Sequence, residues 1–348
     1  MKLSPEFKKK IQRFKSIKRG YYSFLIITIM IVLSLFAEIF INSRALVVYY
    51  DHNFYFPIYQ SMIPGKIFGL NYDYETNYRD LKIKFKQNHD NNNFVIMPIV
   101  PYNPYENDLK TNKFPPFSPS FQDKHFLGTD NIGRDILARL TYGFRIAIVF
   151  SLLLLILNYS IGITIGCVMG YFGGKFDLFF QRILEIWSNV PFLYVIIIVS
   201  SIIVPDFFLL LLIMAFFQWI QITWVMRTIT YKEKEREYIL AIRSLGASHS
   251  RIIFYHIIPN TISIIITYVP FSISGGIVAL TSLDYLGFGL PAPIPSWGEL
   301  LSQGWQNMEA WWISLSVVAS LIITLITVTF TGEGIREAFD PKLYSVYE

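Results

Sequence analysis

Charged residues are scarce in this chain, and their scarcity argues against a soluble enzyme. Asp, Glu, Lys and Arg make up 16% of the 348 residues, whereas hydrophobic residues make up 53%. A soluble globular chain usually carries about 25% charged residues. Because so little charge leaves long apolar runs between short polar stretches, we expect most of the chain to be solvated by lipid.

Cysteine pairs and nucleotide-binding motifs are lacking as well. Cys167 is the single cysteine, so an internal disulfide bond is impossible. The Gly-Lys pairs at 65–66 and 174–175 are followed by Ile67 and Phe176, so neither is the phosphate-binding loop of an ATPase. The histidines are scattered and show no metal-ligand spacing. The sequence therefore predicts no catalytic residue, bound cofactor or metal in this chain.

Apolar runs close to the length of a membrane span occur six times, since a helix needs about 20 residues to cross the hydrocarbon layer. They occupy 21–41, 144–169, 187–204, 207–225, 262–280 and 312–330. In the second run, Gly162, Gly166 and Gly170 recur every four residues, which predicts close approach of another helix. We expect an all-α integral membrane protein with six transmembrane helices.

Positive charge predicts how these spans are oriented. Residues 1–20 and 226–261 are rich in Lys and Arg, whereas 281–311 contains neither. Because basic segments stay in the cytoplasm, both termini, including 331–348, are expected there. The formal net charge of +5 thus indicates a membrane-lipid partner rather than nucleic acid.

The segment 42–143 is expected to lie outside the membrane, because it is polar and rich in proline up to about residue 125. Alternating apolar residues predict short strands at 45–50 and 81–85, with irregular backbone between them. Its last part predicts an interfacial elbow before the second span, in which Arg134 and Arg139 face lipid headgroups. A small irregular extracytoplasmic subdomain follows from this pattern.

Within 226–261 the sequence predicts two short helices. The first begins at Glu237, Gly246 permits the turn between them, Ser248 caps the second, and Pro259 ends it before the fifth span. At about ten residues, or about 15 Å, each is too short to cross a bilayer. Adjacent spans exclude a DNA-reading helix pair, but an amphipathic surface hairpin stays open on this evidence.

The same helix pair resembles the EAA loop of ABC importer permeases. Glu237, Ala241, Gly246 and Pro259 stand at the spacing of that motif. In that family the loop docks into a groove on the ATPase subunit. The resemblance implies a close coupling contact at Ala241, Gly246 and Ala247.

Further stretches at 127–143, 171–177, 282–298 and 332–341 resemble the dipeptide/oligopeptide permease family, so that the likeness extends over about 125–342. The motif positions carried over are Gly128, Asp130, Gly133, Arg134, Asp135, Asp177, Asp284 and Gly287. The outer segment 44–57 is similar to the branch associated with microcin C and peptide uptake. Asp284, where the commoner peptide permeases have a small residue, suits that branch.

This resemblance implies the type I ABC importer permease fold, with a core over 144–330. The chain is then expected to pass peptides or peptide-like solutes across the bacterial inner membrane, without covalent chemistry of its own. The implied partners are a second homologous permease subunit, two ATPase subunits or domains that use ATP and Mg, an extracytoplasmic solute-binding protein and the peptide.

Three alternatives stay open from the residues alone. Ser272, Ser274, Gly275 and Gly276 could line a path between two permease subunits, or they could serve ordinary helix packing. A stand-alone secondary transporter or channel would be indicated by paired broken helices or buried ionisable relays. A membrane sensor would use 42–125 as an external receptor loop.

Overall fold

The computed structural model describes residues 5–87, 92–109 and 113–339, and helices dominate it. Within these residues, five helical stretches are long and apolar enough to cross a membrane. A sixth crossing is obtained if one bent pair of helices counts as a span. The predicted class, an all-α membrane protein, is confirmed.

The elements of the first part of the chain are α1 (Pro5–Ser16), α2 (Lys18–Leu35), α3 (Ala37–Phe40), β1 (Val47–Tyr50), β2 (Asn53–Tyr55), a 3₁₀ turn (Gly65–Phe68), α4 (Tyr78–Gln87) and β3 (Phe94–Ile96). The helices that follow are α5 (Ile136–Phe172), α6 (Gly174–Ser188), α7 (Phe192–Ile202), α8 (Phe207–Glu233), α9 (Glu237–Ser244), α10 (His249–Arg251), α11 (Ile258–Asn260), α12 (Ile262–Tyr285), α13 (Trp297–Gln306) and α14 (Trp311–Phe339). A π-helical segment (Ile252–Ile257) lies between α10 and α11.

Helices α5 and α8 pack with their backbones almost in contact. Gly162, Gly166 and Gly170 of α5 form the stripe that faces α8. A Cβ atom on Gly166 would lie 2.5 Å from the backbone oxygen of Thr223, and one on Gly170 would lie 2.6 Å from that of Arg227. Small residues permit such an approach between membrane helices. The predicted close packing at this stripe is confirmed.

A second close contact joins α2, α12 and α14. A Cβ atom on Gly20 would lie 2.8 Å from Cα of Gly334, so the start of α2 lies against the last turns of α14. Two residues earlier on α14, Gly332 leaves room for the ring of Pro270 within α12. The beginning and the end of the described chain therefore lie at the same end of the helical bundle.

The structure corrects the third predicted span, 187–204. Helix α6 ends at Ser188, α7 begins at Phe192, and the two helices meet at a bend of 63°. Pro191 lacks an N–H group and disfavours helical backbone at the residue before it, so the helix breaks here. With 11 residues, or about 16 Å, α7 alone is too short to cross a bilayer.

The predicted interfacial elbow before the second span is wrong. Asp135 caps α5, since its side chain accepts a hydrogen bond of 2.8 Å from the backbone N–H of Ala138. Helix α5 then runs 37 residues without interruption. Arg134 and Arg139 are 2% and 0% exposed, so neither side chain faces headgroups. Arg139 is instead buried between Pro104 and α13, and Arg134 reaches Glu299 of α13.

The segment 42–125, which is predicted to be extracytoplasmic and is called the outer segment below, has a hydrophobic core of its own. Its three strands form an antiparallel sheet in the order β2-β1-β3. Val48 and Val95 of the sheet pack with Phe68 and with Leu81 of α4. The small subdomain is thus a sheet covered by one helix.

One of the two predicted strands in this segment is wrong. The strand at 45–50 is present as β1, but 81–85 lies within helix α4. Tyr78, Leu81 and Phe85 are buried on one side of α4, at helical spacing. A short apolar run is compatible with both the two-residue repeat of a strand and the 3.6-residue repeat of a helix. Packing against the sheet stabilises the helical form of this segment.

A buried histidine ties the outer segment to the start of α5. His125 is 1% exposed; its Nδ1 lies 2.7 Å from Asp135, its Nε2 lies 3.1 Å from Asp108, and Tyr102 stacks on its ring. Burial alone would lower the pKa of His125, but the hydrogen bonds and charges of the two carboxylates outweigh it and raise the pKa. A neutral imidazole has one N–H, whereas the protonated ring has two and satisfies both partners.

A matched pair of glycine substitutions tests the α5–α8 contact. Gly166→Ala adds a methyl group 2.5 Å from a backbone oxygen and is expected to cost about 1 to 3 kcal/mol through overpacking. Gly275→Ala adds the same methyl group where no atom lies within 4 Å, so it should leave stability unchanged or slightly raised. The measurements are membrane abundance and the thermal unfolding midpoint of the purified protein. Equal values for the two variants would contradict the packing described.

The His125 site predicts a pH dependence of stability. Because the folded state raises the pKa of His125, its stabilising contribution is complete below the ordinary pKa of about 6.5 and is lost as pH rises through the raised value. The thermal unfolding midpoint should therefore fall as pH rises from about 6.5 through the raised pKa, and His125→Gln should remove this part of the fall. An unchanged pH profile in the variant would show that protonation of His125 does not stabilise the fold.

Candidate functional site

A cavity of about 680 Å³ lies between α5, α8, α12 and the break between α6 and α7. Each helix presents to it residues three or four positions apart, which share one helix face. Its polar wall residues are Asn158, Tyr159, Ser188, Gln218, Gln221, Tyr268 and Ser272. Its aromatic wall residues, besides the two tyrosines, are Trp187, Phe192, Phe217, Trp224 and Phe271. Aliphatic side chains such as Leu154 and Ile220 complete the wall, which is therefore mainly apolar and carries several polar groups.

Two of the four residues predicted as path lining belong to this wall. Ser272 lines the cavity with its hydroxyl 3.0 Å from that of Tyr159, and Gly275 lines it without any atom near its Cβ position. Gly276 instead packs against α5, where its Cβ would lie 3.0 Å from Cβ of Ser151. Ser274 is outside the wall, and its buried hydroxyl has no partner among the described residues.

The helix pair predicted between the fourth and fifth spans is present as α9 and α10. Gly246 adopts a left-handed backbone with φ of +79°, and the side chain of Ser248 accepts a hydrogen bond from the N–H of Arg251. No atom lies within 4 Å of the Cβ position of Gly246, and the neighbouring Leu245 is 86% exposed. Ala241 is exposed as well. The turn therefore presents small residues at an open surface.

The sequence prediction that Pro259 ends the second helix is wrong. Residues from His249 to Tyr285 form one helical stretch of 37 residues, interrupted only by a turn at Thr261. Proline removes one backbone donor and crowds the preceding turn, and a π-helical segment is a known way for a helix to absorb such a defect. Since Ile252–Ile257 is π-helical, the helix continues through the proline. The second short helix is continuous with the wall of the cavity.

Side-chain contacts fix this helix pair to the bundle. The hydroxyl of Tyr171, near the end of α5, lies 2.9 Å from Nδ1 of His249 at the start of α10. Ile239 of α9 is 1% exposed and packs in the same cluster as Tyr171. Glu237 is exposed in the first turn of α9, where the helix dipole favours a carboxylate. The pair is therefore anchored on one side and open on the other.

Asp177 is a buried tie between helices rather than a solvated surface group. Its two carboxylate oxygens accept hydrogen bonds of 2.5 Å from Arg227 of α8, and the side chain is 4% exposed. Gln181 contacts the same guanidinium group at 3.3 Å. This bidentate pair fixes α6 to α8, and so it holds the bent pair beside the cavity.

The motif before α5 forms a buried ionic cluster at the outer end. Arg134 donates a hydrogen bond of 2.7 Å to Asp130 and one of 2.6 Å to Glu299 of α13. Arg139 forms an ion pair with the same Glu299. Gly133 has φ of +91° and lies against the backbone oxygen of Asp108, whereas Gly128, φ +79°, lies against Trp312. These residues bind α13 to the outer segment. Neither Glu299 nor His125 was part of the predicted site. Glu299 pairs with Arg139 across 160 residues, and such a distant pairing leaves no local pattern in the sequence.

Asp284 organises the outer loop that follows α12. It accepts hydrogen bonds of 2.7 Å from the N–H of Leu290 and 2.5 Å from the hydroxyl of Ser296. Gly298 lies against the helix beside it, and Gly287 turns the chain with φ of +81°. A smaller residue could not satisfy both donors.

Among the residues that the structure describes, no three His, Cys, Asp or Glu side chains are placed to hold a metal ion.

Comparison with known proteins agrees with this architecture. Residues 162–344 match the family described as binding-protein-dependent transport system inner membrane component. The chain is 38% identical over 341 residues to the inner membrane ABC transporter permease protein YejE of Escherichia coli (strain K12), with 98% of each chain covered.

Two further relatives extend the comparison. The peptidoglycan transport system permease protein YejE of Agrobacterium fabrum is 36% identical over 362 residues, covering 97% of this chain and 94% of the relative. The oligopeptide transport system permease protein OppC of Haemophilus influenzae is 34% identical over 226 residues, covering 65% and 73%. This chain belongs to the family of inner membrane components of binding-protein-dependent transport systems.

Proposed function

We propose that this chain is one permease subunit of an ABC importer that carries peptides or peptide-like solutes across the inner membrane. The observation that carries the proposal is the helical stretch from His249 to Tyr285, interrupted only by a turn at Thr261, which joins the exposed helix pair to the cavity wall. Relatives whose names specify oligopeptide or peptidoglycan transport support the class of solute.

The cavity is half of the translocation path in this proposal, and a second homologous permease subunit supplies the other half. Ser272 and Gly275 contact the solute, while Ser274 and Gly276 serve packing. Trp187 and Phe192, on either side of the bend, form part of the wall. The break in this pair therefore shapes the path.

Two ATPase subunits drive the cycle from the cytoplasmic side, using ATP and Mg that this chain does not bind. They contact the open face of the turn at Ala241, Gly246 and Ala247, with Glu237 at its edge. Because Tyr171 and Ile239 hold the other face, force applied there reaches both α5 and α12. Passage and coupling, not covalent chemistry, are the roles of this subunit.

Orientation and the outer partner complete the proposal. Both termini are cytoplasmic: Arg19 lies 3.8 Å from Glu333, which supports placing them on one side, and basic residues favour the cytoplasm. An extracytoplasmic solute-binding protein delivers the solute to the opposite side, where the outer subdomain and α13 lie. Membrane lipid surrounds the remaining helix faces.

The stand-alone transporter and the sensor are less well supported. Paired broken helices would favour a secondary transporter, whereas the described residues contain one bent pair. Glu38, an acid within the first predicted span, forms an ion pair of 2.8 Å with Arg145, so it is no free relay. A sensor gives no reason for a helical connection between the helix pair and a cavity.

Substitution at Gly246 tests the coupling contact. Gly246→Trp introduces a bulky side chain where no atom lies within 4 Å, so it should prevent docking of the ATPase without a steric clash inside this chain. Uptake of a labelled oligopeptide is expected to fall about tenfold, the equivalent of 1.4 kcal/mol of lost docking energy. Membrane abundance and co-purification of the ATPase are measured in the same cells.

Gly246→Ala is the matched control for this experiment. It imposes the same strain at positive φ, about 1 to 3 kcal/mol, but adds little bulk, so uptake should stay near that of the wild type. Wild-type uptake and ATPase co-purification with Gly246→Trp would make the helix pair a surface hairpin. Equal losses in both variants would attribute the effect to strain instead of docking.

A further inference from the structure

Basic side chains gather on one face of α4, at the surface of the outer segment. Arg79, Lys82 and Lys86 are spaced three and four residues apart, so they share one face of that helix. Arg79 forms an ion pair with Glu106, whereas neither lysine forms an ion pair with the described residues. This face therefore carries positive charge that the described part of the chain does not neutralise.

The ring of Tyr102 joins this face of α4 to Lys124. The guanidinium carbon of Arg79 lies 4.5 Å from the centre of the Tyr102 ring, and the imidazole of His125 stacks on the same ring at 3.9 Å. Lys124 precedes His125 in the chain, and it too forms no ion pair with the described residues. Contacts with one aromatic ring thus bring a third lysine beside those of α4.

These three residues, Lys82, Lys86 and Lys124, are called the basic patch below. Burial lowers the pKa of Lys82, and the positive charges of Lys124 and Lys86 lower it further. Two nearby acids are engaged by other bases, Glu106 by Arg79 and Asp108 by His125. Even with Asp123 counted against them, the three lysines leave the patch positive.

The basic patch extends away from the membrane. Residues 100–101 lie where the chain leaves α3, and Arg79 donates a hydrogen bond of 2.7 Å to the backbone oxygen of Pro101. Beyond the other end of α4, the side chain of Asn93 accepts a hydrogen bond from the N–H of Asp51 at the tip of the β1–β2 hairpin. Lys86, two turns along α4, is about 11 Å further out, beyond the Debye length of about 8 Å. A water-soluble partner therefore suits the patch better than lipid headgroups.

We propose that the basic patch docks an acidic surface of the extracytoplasmic solute-binding protein. This inference rests on the proposed function and specifies where its outer partner binds. Ile83 follows Lys82 in the chain and is 53% exposed, and Phe121, three residues before Lys124, is 83% exposed. Charge steers the encounter, and a small apolar contact completes it, which suits a partner that must bind and leave in every transport cycle.

The experiment measures binding of the peptide-loaded binding protein to the complete complex of both permeases and their ATPases, held in nanodiscs of neutral lipid. Lys82→Glu with Lys86→Glu should raise Kd about tenfold at low salt, mainly through slower association. The difference from the wild type should shrink at about 0.5 M NaCl, because salt screens the attraction. Lys82→Arg with Lys86→Arg keeps both charges and should keep the affinity.

The matched control reverses two lysines outside the basic patch. Lys84, on the other side of α4, donates a hydrogen bond of 2.8 Å to the backbone oxygen of Gly69, and Lys66 pairs with Asp73 at 2.6 Å. Lys66→Glu with Lys84→Glu changes the net charge of the outer segment by the same amount, so wild-type affinity is expected. Exposed ion pairs contribute little to folding, so the control should reach the membrane normally.

Stimulation of ATP hydrolysis by the binding protein separates loss of docking from damage to the fold. Loss of docking raises the concentration needed for half-maximal stimulation and leaves the maximum unchanged, whereas a misfolded outer segment lowers the maximum. Should charge reversal lower the maximum, Lys82→Gln with Lys86→Gln removes the charges more gently and is expected to raise Kd about threefold.

The outcomes separate two failures. Wild-type affinity in the patch variants, or equal losses in the patch and control variants, would overturn the docking assignment while peptide import stands. Absence of any stimulation of the wild-type complex by its binding protein, together with absence of peptide uptake, would instead overturn the proposed function.

Discussion

The backbone contact between α5 and α8 is the constraint on which the rest of this structure depends. Gly162, Gly166 and Gly170 remove the side chains that would hold the helices apart. Asn158, one turn before Gly162 on α5, and Gln221 on α8 are then held in one cavity wall. Because glycine contacts fix the positions of these amides, the wall is set before any ligand binds.

Charge is distributed so that the ends of the bundle are ionic and the cavity is neutral. At one end, Asp177 and Arg227 tie α6 to α8; at the other, Arg134, Arg139 and Glu299 tie α13 to the outer segment. Buried ion pairs stabilise only when their hydrogen bonds are well satisfied. Short contacts pair these charges, and Nε of Arg139 is a buried guanidinium nitrogen without a hydrogen-bond partner among the described residues. In the proposed function, solute passage thus uses a part of the bundle that is chemically distinct from its ionic ends.

Sequence patterns predicted the features that depend on local periodicity. The apolar runs, the glycine stripe of α5 and the turn at Gly246 each follow from one helix or one turn. The errors arose where a distant partner decided the structure. The spacing of Leu81 and Phe85 also fits a strand, and their packing against the sheet shows that they belong to a helix. Arg139 has the sequence context of an interfacial residue, but it pairs with the distant Glu299.

Pro259 illustrates a different limit of sequence reasoning. A proline normally marks the end of a helix, but the π-helical turn before it preserves the path of the chain. Of the four residues predicted to line a path, two line the cavity. Ser272 and Gly275 line the wall, whereas Gly276 is turned toward Ser151 by the packing of α12 on α5.

In the proposed function, α12 transmits the nucleotide state of the ATPases from the helix pair to the cavity. Thiol modification of Gly275→Cys, in a Cys167→Ser chain within the complete importer, measures this directly, because Gly275 is an open wall position. With an impermeant reagent outside, the rate of modification should rise when a non-hydrolysable ATP analogue binds. An unchanged rate, with nucleotide shown to be bound, would contradict the account.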